Sequence, residues 1–214
     1  MPHITLLVHN IRSTHNVGAI FRTAEGFGVT EIVLSGYTPY PRLETGDPRL
    51  PHIAEKLTAQ LHKTALGAEA MVPFRYIETI ERWFEENQRT SQLPVIALEQ
   101  SERSTMLPDF TPPEEFALLL GEEVHGVPQE LLERCDQAVE IKATPPGRSS
   151  PRCSASSIML TAMRSLMEPP GLARSALIQT SWPLNRRFMR TCGVWPIVSR
   201  MFWAFMKGLP LKFR

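Results

Sequence analysis

The chain has 214 residues, 43% hydrophobic and 21% charged, enough for one sizeable α/β domain, or a domain with an appendage, around a packed core. A formal net charge of +1 gives by itself no sign of a polyanionic partner. Three cysteines with no C-x-x-C pair argue against a disulfide framework and give no metal signature, which fits a reducing compartment.

The opening "MPHITLLVHNIRS" lacks a basic n-region and predicts no signal peptide. No stretch reaches the roughly 18 apolar residues that span a bilayer, so a cytosolic protein is expected. The first predicted strand is "ITLLVHN", followed by a helix over 15–27. Asn16 is expected to cap that helix, with Val17, Ile20, Phe21 and Ala24 as its apolar face. The stretch "NIRSTHNVGAIFRTAEGFG" mixes two Asn, two Arg and three Gly with that face, a combination that packing alone does not require.

Further on, "EIVLSG" (31–36), "MVPFRYI" (71–77), "PVIALEQ" (94–100), "FALLLG" (116–121) and "AVEIKA" (138–143) read as strands. Helices are expected at 51–67, 78–88, 128–135, opened by Pro128, and 154–167. The alternation predicts an α/β fold, a mostly parallel sheet flanked by helices. "FALLLG" is apolar throughout and suits a central strand. Ligands of such sheets bind beyond the carboxyl ends of the strands.

Two more segments follow strands and carry polar groups. In "LLLGEEVHGVPQELL", Gly121 ends a strand, two carboxylates follow and Gly126 precedes a helix; this loop is suited to a small ligand, with Glu123 holding a donor or a basic side chain. It is not a dinucleotide fingerprint, because G-x-G-x-x-G is absent. His125 reads as a surface loop residue. In "EIKATPPGRSSPRCSASSIML" an irregular Pro/Gly/Ser loop joins a strand to a helix and exposes backbone groups.

In order and spacing these segments resemble the SpoU (TrmH) branch of the SPOUT RNA methyltransferases. The first family motif, N-x-R…N-x-G…F-R-T-A…F-G, is matched by Asn10, Arg12, Asn16, Gly18, Phe21, Arg22, Thr23, Ala24, Phe27 and Gly28. The second, G-x-E-x-x-G before a Pro-opened helix, is matched by Gly121, Glu123, Gly126 and Pro128. The resemblance covers about residues 4 to 167. It implies a C-terminal trefoil (α/β) knot that binds S-adenosylmethionine, a homodimer, and methylation of a ribose 2′-hydroxyl in tRNA or rRNA, with no metal. It implies Arg22 as the catalytic residue, with Asn16 and Glu123 in support. Leu98, Gly121, Ile141, Ser149 and Ser150 fall at the cofactor, and Asn10, Arg12 and Arg22 at the RNA.

The third family motif, I-P-M-x-G-x-x-x-S-L-N-V-S-V-A, is degenerate in this chain, which reads "IKATPPGRSSPRCSA". Ile141 and Ser149 survive, whereas Lys142, Pro145, Ser150 and Pro151 stand where the family has Pro, Gly, Leu and Asn. Pro151 removes a backbone donor, and Pro145 cannot take the positive φ open to glycine. An atypical loop of this kind is expected to perturb the knot. It also opens a rival reading, an RNA-binding protein of the same fold that has lost catalysis.

The family domain is expected at 1–168 and a basic, Trp/Arg-rich extension at 169–214. From Gly171 onward there are eight Lys/Arg and no Asp or Glu, leaving residues 1–168 with a net charge of −7. Three readings of this tail stand open. It contacts RNA through Arg and Trp; it lies on a membrane surface as an amphipathic segment; or it is a stretch without selected function, as a frame disruption near Lys142 would leave.

Overall fold

A computed structural model describes residues 2–122, 124–141 and 155–167. Seven parallel strands form one sheet in the order β3-β2-β1-β6-β4-β7-β5. They are β1 (His3–His9), β2 (Glu31–Ser35), β3 (Phe74–Ile77), β4 (Val95–Leu98), β5 (Thr105–Met106), β6 (Glu115–Leu120) and β7 (Gln137–Glu140). The helices are α1 (Thr14–Phe27), α2 (Pro51–Ala65), α3 (Ile80–Arg89), α4 (Gln129–Leu132) and α5 (Ala155–Met167).

Strand alternation sorts the core into two layers. On β1, Ile4, Leu6 and Val8 face one way and pack with Val17, Ile20, Phe21 and Ala24 of α1, Leu61 and Ala65 of α2, and Met159 and Met163 of α5. Leu7 faces the other way, with Ile80, Trp83 and Phe84 of α3 and Leu131 of α4. β6 does the same with Phe116, Leu118 and Leu120 against Ala117 and Leu119. Both faces of β6 are therefore covered, and it lies between β1 and β4, the central position its apolar run predicted.

The expected elements form, with corrections at their ends. Ser13, not Asn16, caps α1: its hydroxyl accepts from the Asn16 N–H at 3.2 Å while its own backbone is extended. Asn16 sits in the first turn, because the chain becomes helical two residues before it. α1 stops at Gly28, whose φ of 66° takes the left-handed turn. α2 stops at Ala65, short of 67, because Leu66 and Gly67 both adopt positive φ. The strand expected at 71–77 begins at Phe74, after a 3-10 turn at Ala68–Ala70. Pro128 is the cap residue of α4 and not its first helical residue, and the helix is one turn long. β5, a two-residue edge strand paired with β7, carries too little pattern to be foreseen.

Candidate active site at the strand switch point

After β1 the chain turns to β2 through α1, which covers one face of the sheet. After β6 it turns to β7 through α4, which covers the other. The crevice between the carboxyl ends of β1 and β6 is thus the topological switch point, where open parallel sheets bind ligands. Asn10 and Arg12 of the first motif and the loop of the second, beginning at Gly121, lie at these two strand ends.

On the β1 side, Asn10 takes a left-handed φ of 58°. Its amide nitrogen donates to His9 Nε2 at 3.0 Å and its oxygen accepts from the Tyr37 N–H at 3.3 Å. His9 Nδ1 lies 2.9 Å from the Ser35 hydroxyl, so the ring bridges β1 and β2 in its neutral form. Burial lowers the His9 pKa from its ordinary value, against an opposing pull from Glu81. Gly36 keeps this corner closed: at its φ of 66°, a Cβ would fall 2.0 Å from Asn10 Oδ1. Asn10 is accordingly built into the backbone of the turn, and Arg12 carries the exposed charge beside it. The side chain of Arg12 is 74% exposed, 3.5 Å from Glu122 and 5.4 Å from the centre of the Tyr37 ring.

The loop beyond β2 is tied together by Arg49. Arg49 lies 3.5 Å over the Tyr40 ring, pairs with Asp47 at 2.6 Å and donates to the carbonyls of Tyr40 and Pro41. Asp47 also accepts from the backbone of Leu43 and Arg49. Hydrogen bonding from Arg49 before all else holds the Asp47 carboxyl far below the usual carboxylate range.

On the β6 side the chain doubles back at once. Glu122 and Gly126 exchange backbone hydrogen bonds of 3.1 and 2.9 Å. Gly121 is required by that closure, since a Cβ there would meet the Gly126 carbonyl at 2.5 Å. The Glu122 side chain reaches back across the crevice to Arg12 and accepts from His125 Nδ1 at 2.9 Å. The His125 hydrogen bond is the largest cause of a lowered Glu122 pKa; desolvation opposes it, and Tyr37 and Arg12 add to it. His125, expected as a plain surface residue, is exposed but joins this network.

Leu98, Gly121 and Ile141 fall at the carboxyl ends of β4, β6 and β7, which are neighbours in the sheet. Leu98 pairs with Val139, two residues before Ile141. The structure therefore brings these three together. Asn16 and Arg22 are not face neighbours: six helical residues separate them by about 9 Å of rise and about 120° of rotation. Arg22 is half-buried in the third turn of α1. Glu123, Ser149 and Ser150 lie outside the described residues, as do the expected knot-forming loop and the tail.

Sequence reading missed Tyr37, His9, Ser35 and Glu99. Of these only Glu99 had a signal, a carboxylate directly after the apolar run of β4. Among the described residues no cluster of three or more His, Cys, Asp or Glu has metal-binding geometry, and no helix is long and apolar enough to cross a membrane.

Fold and switch-point site define an α/β protein of the open, parallel-sheet class. Residues 49–160 match the SpoU rRNA Methylase family, and the chain belongs to that family. That span takes in Leu98, Gly121, Ile141, Ser149 and Ser150, whereas the Asn10–Gly28 motif precedes it. The chain is 26% identical over 140 residues to the 23S rRNA (guanosine-2′-O-)-methyltransferase RlmB of Coxiella burnetii, covering 65% of this chain and 49% of that one. With RlmB of Nitrosomonas europaea the identity is 29% over 140 residues, covering 65% and 47%. The chain spans about half the length of the curated relatives it matches. Among solved structures, the AdoMet-bound rRNA methyltransferase from Sinorhizobium meliloti superposes with a TM-score of 0.58 at 23% identity, covering 78% of this chain and 57% of that one. The A. aeolicus TrmH/SpoU tRNA modifying enzyme gives 0.54 at 18%, covering 78% and 76%. At those identities the likeness concerns the fold.

Proposed function

We propose that this chain is an S-adenosylmethionine-dependent methyltransferase acting on a ribose 2′-hydroxyl of tRNA or rRNA. The observation that carries the reading is the convergence of both family motifs on one switch-point crevice, joined by the Arg12–Glu122 pair. Relatives named as ribose methyltransferases support it, and so does an AdoMet-bound structure of like fold.

The residues present suit that cofactor. Leu98 and Ile141 offer an apolar wall for a purine ring, and the strand ends after Leu98 and Gly121 supply backbone donors and acceptors. When bound, S-adenosylmethionine supplies an electrophilic methyl group, and positioning the hydroxyl in line with it carries much of the barrier. Arg22 offers a planar guanidinium with five N–H donors. Its guanidinium grips the adjacent phosphate and stabilises the alkoxide that develops on the ribose oxygen. Asn16, almost two turns before Arg22 on α1, and Glu123 are assigned to its support. Arg12 at the mouth holds a phosphate, while Asn10 keeps the turn in place.

The reading extends to a homodimer, a trefoil knot formed by the C-terminal part of residues 1–168, and a cytosolic protein. Residues 169–214 are assigned to a basic extension. The degenerate third motif favours one rival, a SPOUT-fold RNA binder without turnover. For that rival, deleting 171–214 weakens RNA binding with a salt-dependent loss.

The test is Arg22→Ala assayed for methyl transfer to bulk tRNA and rRNA. Loss of turnover with an unchanged circular dichroism spectrum is expected; full turnover removes Arg22 from the mechanism. Calorimetric titration with S-adenosylmethionine separates the two readings, since the rival binds RNA without it.

A further inference from the structure

Glu99 is the first residue beyond β4 and bonds both to β7 and to the chain just past the turn that follows β6. Its N–H donates to the Val139 carbonyl of β7 at 3.0 Å. Its carboxylate accepts from the Val127 N–H at 2.8 Å through Oε2 and from the Gln100 N–H at 2.9 Å through Oε1. Val127 directly follows the turn that the Glu122–Gly126 pair closes beyond β6. The fit is shaped for this group: Gly126 has a φ of 70°, and a Cβ there would lie 2.1 Å from Glu99 Oε2. A carboxylate receiving two backbone N–H groups makes charge-assisted bonds, and these fix a loop more firmly than neutral pairs do.

We propose that Glu99 is a positioning residue of the cofactor pocket, clamping the Gly121–Val127 loop to the ends of β4 and β7. The ends of β4, β6 and β7 around it carry Leu98, Gly121 and Ile141. The inference rests on the cofactor reading above and adds what holds that pocket in shape. Glu99 touches neither methyl group nor ribose; it acts through the loop, as supporting groups do around a preorganised site.

The experiment uses the full chain with Glu99→Ala and Glu99→Gln. Gln keeps one acceptor oxygen for Val127 and loses the second acceptor at Gln100. Without cofactor, amide hydrogen exchange by NMR is expected to be about tenfold faster at Val127 in Glu99→Ala and nearly unchanged in Glu99→Gln. Calorimetry is expected to give a Kd for S-adenosylmethionine raised about tenfold in Glu99→Ala, with most of the affinity restored in Glu99→Gln. The KM for RNA is expected to hold. Unchanged Val127 exchange in Glu99→Ala overturns the clamp. Faster exchange with unchanged cofactor affinity overturns the positioning role, leaving a structural carboxylate. A wild-type chain that binds no S-adenosylmethionine overturns the cofactor reading and this proposal with it; that case is distinguishable, because wild type and variants then titrate alike while Val127 exchange still differs. If Glu99→Ala fails to fold, Glu99→Asp takes its place, since the shorter side chain withdraws the carboxylate from Val127: faster Val127 exchange with a raised Kd supports the clamp, and unchanged values overturn it.

Discussion

Gly18 belongs to the first motif, yet the structure gives it a packing task that a single substitution tests. It lies within α1 where that helix crosses α2. A Cβ added there would stand 2.2 Å from Thr64 Oγ1, 2.4 Å from the Leu61 carbonyl oxygen and 3.1 Å from the Ala65 nitrogen. Thr64 can rotate away, but only by giving up its 2.9 Å hydrogen bond to the His15 carbonyl. The Leu61 oxygen is backbone and cannot move without the helix. Gly18→Ala therefore combines overpacking, about 1–3 kcal/mol, with a lost hydrogen bond of about 1 kcal/mol. Against these stands a gain of about 1 kcal/mol in helix propensity. The net is a loss of about 2 kcal/mol, or about 4–8 °C in melting temperature for a chain of this size. The contrast is Gly26→Ala in the same helix, where an added Cβ has nothing within 4 Å. It should raise the melting temperature by about 1–4 °C through propensity alone. Thermal melts of both variants by circular dichroism decide the matter. If Gly18→Ala melts at or above wild type, the two helices are not locked backbone to backbone, and the argument from close approach is wrong.

Ser13→Ala should cost about 1 kcal/mol in urea unfolding, and Ser13→Asp should restore most of it, because either oxygen can accept from the Asn16 N–H. His9 gives a pH dependence. Its folded pKa is lowered from 6.5, so as pH falls through that value the unfolded chain takes up a proton the folded one refuses. Stability from the buried neutral ring is thus full above 6.5 and lost below it. Urea midpoints at pH 7.5 and 5.5 should show a drop that shrinks in His9→Gln; an equal drop in both would exclude His9. Arg12→Ala should weaken RNA binding across sequences and lower its salt dependence, with little effect on melting temperature, since the side chain is largely exposed. An unchanged salt slope would place the phosphate contact elsewhere.

Sequence by itself determined the type and order of every element but the short β5 and the 3-10 turns, and with them the parallel sheet. The apolar runs alternate with segments of helical period, and "FALLLG" declared its own central place. It also brought the two motifs to strand ends, which is where the crevice lies. What it could not give was which polar groups serve the backbone and which serve a ligand. Asn10 and Arg12 are equivalent as motif letters, but a left-handed φ turns Asn10 into a strut for the Tyr37 turn and leaves Arg12 at the mouth. Ser13 and Asn16 are both good caps by composition; only the point where the chain leaves extended geometry chose Ser13. Gly18 looked like part of a site, and close approach of α2 makes it a packing glycine. Glu99 and Val127 are 28 residues apart, and they meet because β4 and β6 are neighbours in the sheet while β5 is not between them. Local propensity and periodicity are properties of a few consecutive residues, whereas a hydrogen bond across strand ends exists only after the strand order is set.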